Sequence, residues 1–201
     1  MFNKILFCSL CYSLCCGCSD QSNNCDFSKI DFHNGDIVFR KGVGAKTRAV
    51  LQADKTGIYS HVGIIIATAD SFGVIHITPG EREASETIDR IKMETPQIFF
   101  GKDRAQHGAL YRLANDTLSV NTAVMHAQRL LKSGIAFDHD YKLEDTTTMY
   151  CTELVYYVYM LAGKDITSGK RSEVNMPVYN GTYIFPSDIY TNNDFKLIYK
   201  F

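Results

Sequence analysis

Residues 61–67 (HVGIIIA) and residues 73–78 (GVIHIT) are two short runs rich in β-branched residues, and together they indicate the type of fold. Runs of this length and composition are typical of buried strands rather than helices. Residues 68–72, which separate the runs, have the composition of a turn, so we predict an antiparallel hairpin. His61 opens the first run and His76 lies within the second. If the strands pair, the two imidazoles can share one face of the sheet.

The rest of the chain mixes predicted strands and helices without regular alternation. Strands are predicted at residues 36–40, 109–113 and 195–199, the last at a sheet edge, and helices at residues 45–53, 84–93, 122–132 and 151–162. The last helix has the strongest signal, because its apolar residues recur on one face, at Leu154, Val155, Val158 and Tyr159. The irregular order favours an α+β fold, with an antiparallel sheet packed against helices, over a doubly wound parallel sheet.

The composition describes one globular domain without a nucleic-acid partner. The chain has 201 residues, of which 45% are hydrophobic, and 21 basic residues against 22 acidic ones. Proteins that bind nucleic acids normally have a basic excess, so we expect no such partner. Residues 41–47 (KGVGAKT) lack the first glycine of a phosphate-binding loop, and residues 138–140 (DHD) lack a second histidine at the spacing of a metal site. We therefore predict neither a cofactor nor a metal.

The first 25 residues contain six of the seven cysteines and have the character of an export signal. Residues 1–18 combine one positive charge, an apolar run too short to span a membrane, and Gly17 before Cys18. This stretch resembles a bacterial lipoprotein signal, with Cys18 as the lipid attachment site. We predict a polar tether at residues 19–33, a folded domain at residues 34–201, and anchoring to a membrane of a bacterial envelope, on a periplasmic or outer surface. A plainly cleaved signal is the alternative.

Cys151 is the only cysteine after residue 25, and its position favours a nucleophile over an inert buried thiol. Residues 146–148 (TTT) offer helix caps just before it, which places the thiol in the first helical turn. Backbone N–H groups there lower the pKa of a thiol and can hold an oxyanion. His61 is the candidate base and His76 can fix its tautomer. Tyr59 is a candidate for the lining of the substrate cleft.

Four blocks carry a resemblance to a known family. They are residues 34–39 (NGDIVF), 60–65 (SHVGII), 74–76 (VIH) and 150–155 (YCTELV). With this order and separation the chain resembles the YiiX/YebB-like hydrolases, which are circularly permuted relatives of the NlpC-type, papain-fold cysteine peptidases. The resemblance implies that Cys151 is the nucleophile, His61 the general base and His76 the orienting third residue. It also implies that Asp138 shapes the substrate pocket. Many relatives carry Glu at the position of His76.

These observations favour a cell-envelope cysteine hydrolase that cleaves an amide bond. The expected substrate is a cell-wall peptide or a related small peptide, attacked through a thiolate–imidazolium pair to give an acyl-enzyme. Two other functions stay open: a thiol-dependent acyltransferase or lipid esterase of the permuted papain fold, and a non-catalytic envelope binding module. The sequence does not predict the oligomeric state.

Overall fold

An antiparallel sheet of six strands forms the centre of the structure, a computed structural model that describes residues 27–82, 85–143, 145–175 and 180–201. The strands in these ranges are β1 (Ile37–Lys41), β2 (His61–Ala67), β3 (Phe72–His76), β4 (Lys92–Glu94), β5 (His107–Leu113), β6 (Ala136–Phe137), β7 (Thr148–Met149), β8 (Ser172–Asn175), β9 (Asn180–Tyr183) and β10 (Phe195–Lys200). The helices are α1 (Gly44–Ala53), α2 (Pro96–Phe99), α3 (Thr117–Ser133), α4 (Cys151–Leu161) and α5 (Pro186–Tyr190), and a 3-10 turn covers Phe27–Lys29.

The main sheet has the strand order β10-β5-β1-β2-β3-β4, and all its neighbours are antiparallel. The predicted hairpin is present as β2 and β3, with Ile64 opposite Ile75. The last strand, β10, lies at one edge as predicted. Outside this sheet, β6 pairs with β7 in parallel and β8 pairs with β9 antiparallel. The α+β class with an antiparallel sheet is therefore confirmed.

The sheet buries both of its faces, because its strands alternate between two apolar clusters. In β1, Ile37 and Phe39 belong to the larger cluster, which α3 and α4 cover, whereas Val38 belongs to a smaller one on the opposite side. The apolar face predicted for α4 is fully buried in the larger cluster. Helix α3 ends at Ser133, and Gly134, with a φ of 68°, forms its left-handed C-cap.

Residues 27–33 belong to the folded domain rather than to the predicted tether. Ile30 and Phe32 are buried in the smaller cluster, against Val38 and Leu110. The boundary predicted at residue 33 is therefore too late. The predicted signal peptide at residues 1–18, with Cys18, lies outside the described residues. No described helix is long and apolar enough to cross a membrane.

Two local predictions are wrong. The helix predicted at residues 84–93 is absent from residues 85–93, which instead end in β4, with Lys92 opposite His76 of β3; residue 84 lies outside the described ranges. Hydrogen bonds to the free edge of β3 outweigh a weak local helical preference here. The cap of α4 is Tyr150 rather than a threonine of residues 146–148, and the Glu153 carboxylate accepts the Tyr150 N–H at 3.2 Å.

The turn before β1 requires glycine at residue 35. Gly35 has a φ of +81°, and a Cβ on it would overlap Cγ1 of Val120 in α3. Its carbonyl accepts a hydrogen bond from the Tyr159 hydroxyl of α4 at 2.7 Å. The turn therefore connects the sheet to both of the helices that cover it.

We expect Gly35→Ala to lower the free energy of unfolding by about 3 kcal/mol, because it adds overpacking to backbone strain. Gly163→Ala is the matched control, since Gly163 has a φ of +78° and a Cβ added to it would meet no atom within 4 Å. This control should lose only about 1 kcal/mol, the cost of the strain. Urea denaturation of the two variants measures the difference, and equal losses would contradict the packing argument.

Candidate active site

A cavity of about 440 Å³ contains the predicted nucleophile and the predicted base. Cys151 is the first residue of α4 and His61 is the first residue of β2, and both line the cavity wall. The backbone N–H groups of Val62, Thr152 and Cys151 point toward the sulfur of Cys151. The start of a helix and the start of a strand therefore meet at the thiol, as the sequence predicted for the helix.

The two histidines are in direct contact. Nε2 of His61 lies 3.0 Å from Nδ1 of His76, and Nε2 of His76 lies 3.0 Å from Oε2 of Glu94. Because a carboxylate only accepts, His76 donates from Nε2, and its Nδ1 then accepts from Nε2–H of His61. This assignment leaves Nδ1 of His61 unprotonated. The hydrogen-bonded chain therefore prepares one ring nitrogen of His61 to act as a base.

Glu94 is the residue that the sequence analysis missed, and it is held ionised. Burial alone would raise its pKa, but hydrogen bonds from His76, Lys92 and Arg104 hold the pKa well below the usual range. Lys92 Nζ lies 2.7 Å from Oε1, and Arg104 Nη1 lies 2.8 Å from both carboxylate oxygens. A fixed negative charge thus stands at the end of the histidine chain.

Burial keeps the thiol and the imidazole neutral. It raises the pKa of Cys151 to about 11, although the three backbone N–H groups and the Arg40 charge oppose the rise. Burial also lowers the pKa of His61 well below its ordinary value, and the charges of Arg40, His76 and Lys92 lower it further. The lowered thiol pKa predicted from the sequence is therefore contradicted, because desolvation outweighs the helix start. Burial thus favours a thiol and a neutral imidazole at these two positions of the cavity wall.

Arg40 is a second residue that the sequence analysis missed. It lies in β1 opposite His61, only 2% exposed, and it lines the cavity. Its Nη1 donates to the carbonyl of Phe99 at 2.6 Å, its Nη2 pairs with Glu81, and its guanidinium lies over the Phe99 ring. Its Nε has no partner among the described residues. This buried cation favours negative charge on the nearby sulfur.

The two predicted substrate-binding residues do not line the cavity. Tyr59 is 2% exposed, and its ring packs against Phe39, His107 and Tyr190. It is therefore a core residue, and its predicted place in the cleft is wrong. Asp138 is also buried, and its carboxylate accepts the N–H groups of Asp140 at 2.8 Å and Lys142 at 2.5 Å.

Asp138 acts through the loop that it folds. These two hydrogen bonds close a turn over residues 138–142. The turn presents Tyr141, which lines the cavity together with Phe137 and Tyr150. Asp138 thus supports one wall of the pocket indirectly, by holding the turn that carries Tyr141, and is not itself part of the pocket lining.

One trio of described residues has the spacing of a metal site, with ligand atoms of His76, Glu81 and Glu94 within 4.8 Å of one another. Both carboxylates are already paired with cations: Glu81 with Arg40, and Glu94 with Lys92 and Arg104. A divalent cation would have to displace these side chains and the hydrogen bond from His76. The trio therefore fits a charge network that supports His76 better than a metal centre.

Comparisons with known proteins concern the family and the fold of this chain. The model of the family described as permuted papain-like amidase enzymes, YaeF/YiiX, C92 family, matches residues 31–199. The crystal structure of the metalloprotein yiiX from Escherichia coli O157:H7 has a similar fold, with a TM-score of 0.67 at 16% identity, covering 84% of this chain and 97% of that one. No curated protein matches the chain. Because the family model spans most of the sequence, the chain belongs to the permuted papain-like amidases of the YaeF/YiiX family and has a cysteine hydrolase type of active site.

Proposed function

We propose that this enzyme hydrolyses an amide bond of a small peptide, such as a cell-wall peptide, through an acyl-enzyme on Cys151. The observation that carries the proposal is the hydrogen-bonded chain from Glu94 through His76 to His61, which ends at the cavity that also contains the thiol. A binding module has no need of a thiol at a helix start in the same cavity as a prepared base. The amidase character of the family supports the choice of bond.

The first step transfers a proton and forms a thioester. Nδ1 of His61 takes the thiol proton while the sulfur attacks the carbonyl carbon of the substrate. The resulting oxyanion is stabilised by the N–H groups at the start of α4 and by the positive end of its dipole. The imidazolium of His61 then gives its proton to the leaving amine. Water attacks the thioester, again with His61 as base, and releases the acid product and the thiol.

Glu94 stabilises the transient imidazolium in a buried site. A proton on His61 is disfavoured by burial and by the nearby cations Arg40 and Lys92. The ionised carboxylate of Glu94 acts through His76 and stabilises the positive charge, as a buried aspartate does in serine hydrolases. His76 is therefore a positioning residue that connects the charge to the base.

We also propose that the enzyme acts at a bacterial envelope, anchored through a lipid on Cys18. The support is the sequence of residues 1–18, which resembles a lipoprotein signal, and the polar residues that follow it. An enzyme placed there would meet cell-wall peptides. This placement is the reason for preferring them among small amides.

Cys151→Ala should abolish amide hydrolysis and leave the fold intact, because the thiol is the only group in this mechanism that bonds to the substrate. The measurement is product release from cell-wall stem peptides and from phospholipids by the full chain, with thermal unfolding as the check on folding. Residual turnover of either substrate by the variant would show that Cys151 is not the nucleophile. Turnover of phospholipid alone by the parent enzyme would favour a lipid esterase.

Glu94→Gln should lower kcat/KM by roughly 10- to 100-fold, as is usual when the partner of a functional histidine loses its charge. Without that charge the His61 imidazolium formed during turnover is less stable, whereas the positive charge around the thiol is less compensated, so alkylation of the Cys151 thiolate should begin at lower pH. Peptide mass spectrometry of the alkylated full chain follows Cys151 separately from the N-terminal cysteines. Glu173→Gln is the matched control on an exposed carboxylate. An unshifted pH profile for Glu94→Gln would contradict the role of the chain.

Cys18→Ser should move the protein from the membrane fraction to the soluble fraction of the producing bacterium, because a lipid chain is needed for stable anchoring. Cys16→Ser is the control, since the predicted attachment follows Gly17. Incorporation of a labelled fatty acid, followed by fractionation, measures both variants. If the Cys18→Ser variant carries no labelled fatty acid but stays in the membrane fraction, a lipid on Cys18 is not what anchors the protein.

A further inference from the structure

A second, smaller cavity of about 130 Å³ lies beside the active site. We name it the apolar groove. Its lining consists of three small apolar residues and one lysine of α1, one loop tyrosine and three residues of the segment that carries β8 and β9, namely Lys46, Ala49, Val50, Ala53, Tyr141, Val174, Tyr183 and Phe185. Val174, Tyr183 and Phe185 form a small buried cluster of their own. The groove therefore has a packed floor.

The apolar groove adjoins the catalytic cavity. Lys46, Val50 and Tyr141 line both of them. Tyr141 belongs to the turn that Asp138 folds, so the wall between the two cavities is held by partly buried hydrogen bonds. The groove therefore borders the cavity that contains Cys151.

The size and chemistry of the groove fit one side chain. An enclosed apolar cavity of about 150 Å³ is enough to bind a benzene ring, so an open groove of about 130 Å³ is close to the space that one side chain of Leu or Phe size needs. The rings of Tyr183 and Phe185, 5.9 Å apart, supply an aromatic surface. Apart from the ammonium of Lys46, whose Nζ donates to the carbonyl of Pro79 at 2.9 Å, the lining offers no charge.

We propose that the apolar groove is a specificity subsite that binds one apolar side chain, of Leu or Phe size, in the peptide substrate. This inference rests on the proposed amide hydrolysis and adds to it a preference among peptides. Substrates with Gly or a charged residue at that position should be bound poorly, because they leave the apolar lining in contact with water.

Binding to the full chain carrying Cys151→Ala tests the subsite without turnover. The ligands are N-acetyl dipeptide amides with Leu, Phe, Gly or Glu at either position, and calorimetry gives their dissociation constants. We expect Leu and Phe to bind roughly 10- to 100-fold more tightly than Gly at one position. Equal affinities of all four residues at both positions would overturn the proposal.

Variants of α1 locate the preference in the groove. In the same background, Ala49→Phe fills the groove and should remove the preference for Leu and Phe, whereas Gln52→Phe should keep it, because Gln52 is an exposed residue of the same helix outside the lining. Val174→Thr, which places a hydroxyl in the floor, should weaken the preference. Thermal unfolding identifies any variant that fails to fold. If both Ala49→Phe and Val174→Thr keep the preference for Leu and Phe, the side chain binds outside the groove and the proposal is overturned.

The outcomes also separate this proposal from the proposed function. A Leu preference in binding, with no amide hydrolysis by the parent enzyme, would refute the function and support the subsite. Hydrolysis of Leu and Gly peptides at equal kcat/KM would support the function and refute the subsite. N-acyl amides of increasing chain length are a further comparison. The contrary outcome is an affinity for these amides that keeps rising beyond a chain of about six carbons, together with the loss of that gain in Ala49→Phe. This result would show that the groove binds a lipid chain and would overturn the assignment to a side chain.

Discussion

The hydrogen-bonded chain from Glu94 through His76 to His61 depends on the pairing of three adjacent antiparallel strands, β2, β3 and β4. Their register brings Lys92 opposite His76 and Ile64 opposite Ile75. The side chains of His61, His76 and Glu94 therefore follow one another across the same face of the sheet. Gly63 contributes to this arrangement, since a Cβ on it would stand 3.2 Å from the Cβ of His76. A shift of one residue in either pairing would send the side chains of that strand to the opposite face. The active site is therefore specified by strand register as much as by residue identity.

The charges around the site explain how such a buried constellation can work. Three cations, Arg40, Lys92 and Arg104, surround two carboxylates, Glu81 and Glu94. Arg40 and Lys92 oppose protonation of His61, and Arg40 favours negative charge on Cys151. In amide hydrolysis the negative charge moves from the sulfur to the carbonyl oxygen, so the same field stabilises both the nucleophile and the oxyanion.

Local patterns were sufficient for the parts of the site that lie within single elements. The β-branched runs predicted β2 and β3, and the apolar periodicity predicted α4, so the sequence placed Cys151, His61 and His76 at one location. Glu94 and Arg40 were missed because their positions depend on contacts between distant segments. Glu94 lies in β4, whose residues have no clear strand alternation, and Arg40 is buried only because Glu81 and Phe99 cover it. The thiol pKa was misjudged for the same reason, since burial is a property of the whole fold.

The raised pKa of Cys151 and the lowered pKa of His61 affect the order of proton transfer and nucleophilic attack. Separating charge between Cys151 and His61 is disfavoured by burial on both sides, and a substrate that fills the cavity excludes more water and increases that cost. Burial therefore disfavours a free thiolate before substrate binds. In the proposed mechanism the proton reaches His61 as the sulfur attacks, when the oxyanion hole and Glu94 can stabilise the two charges at once. The helix start thus contributes mainly to the transition state, and the carboxylate at the other end of the chain contributes at the same moment.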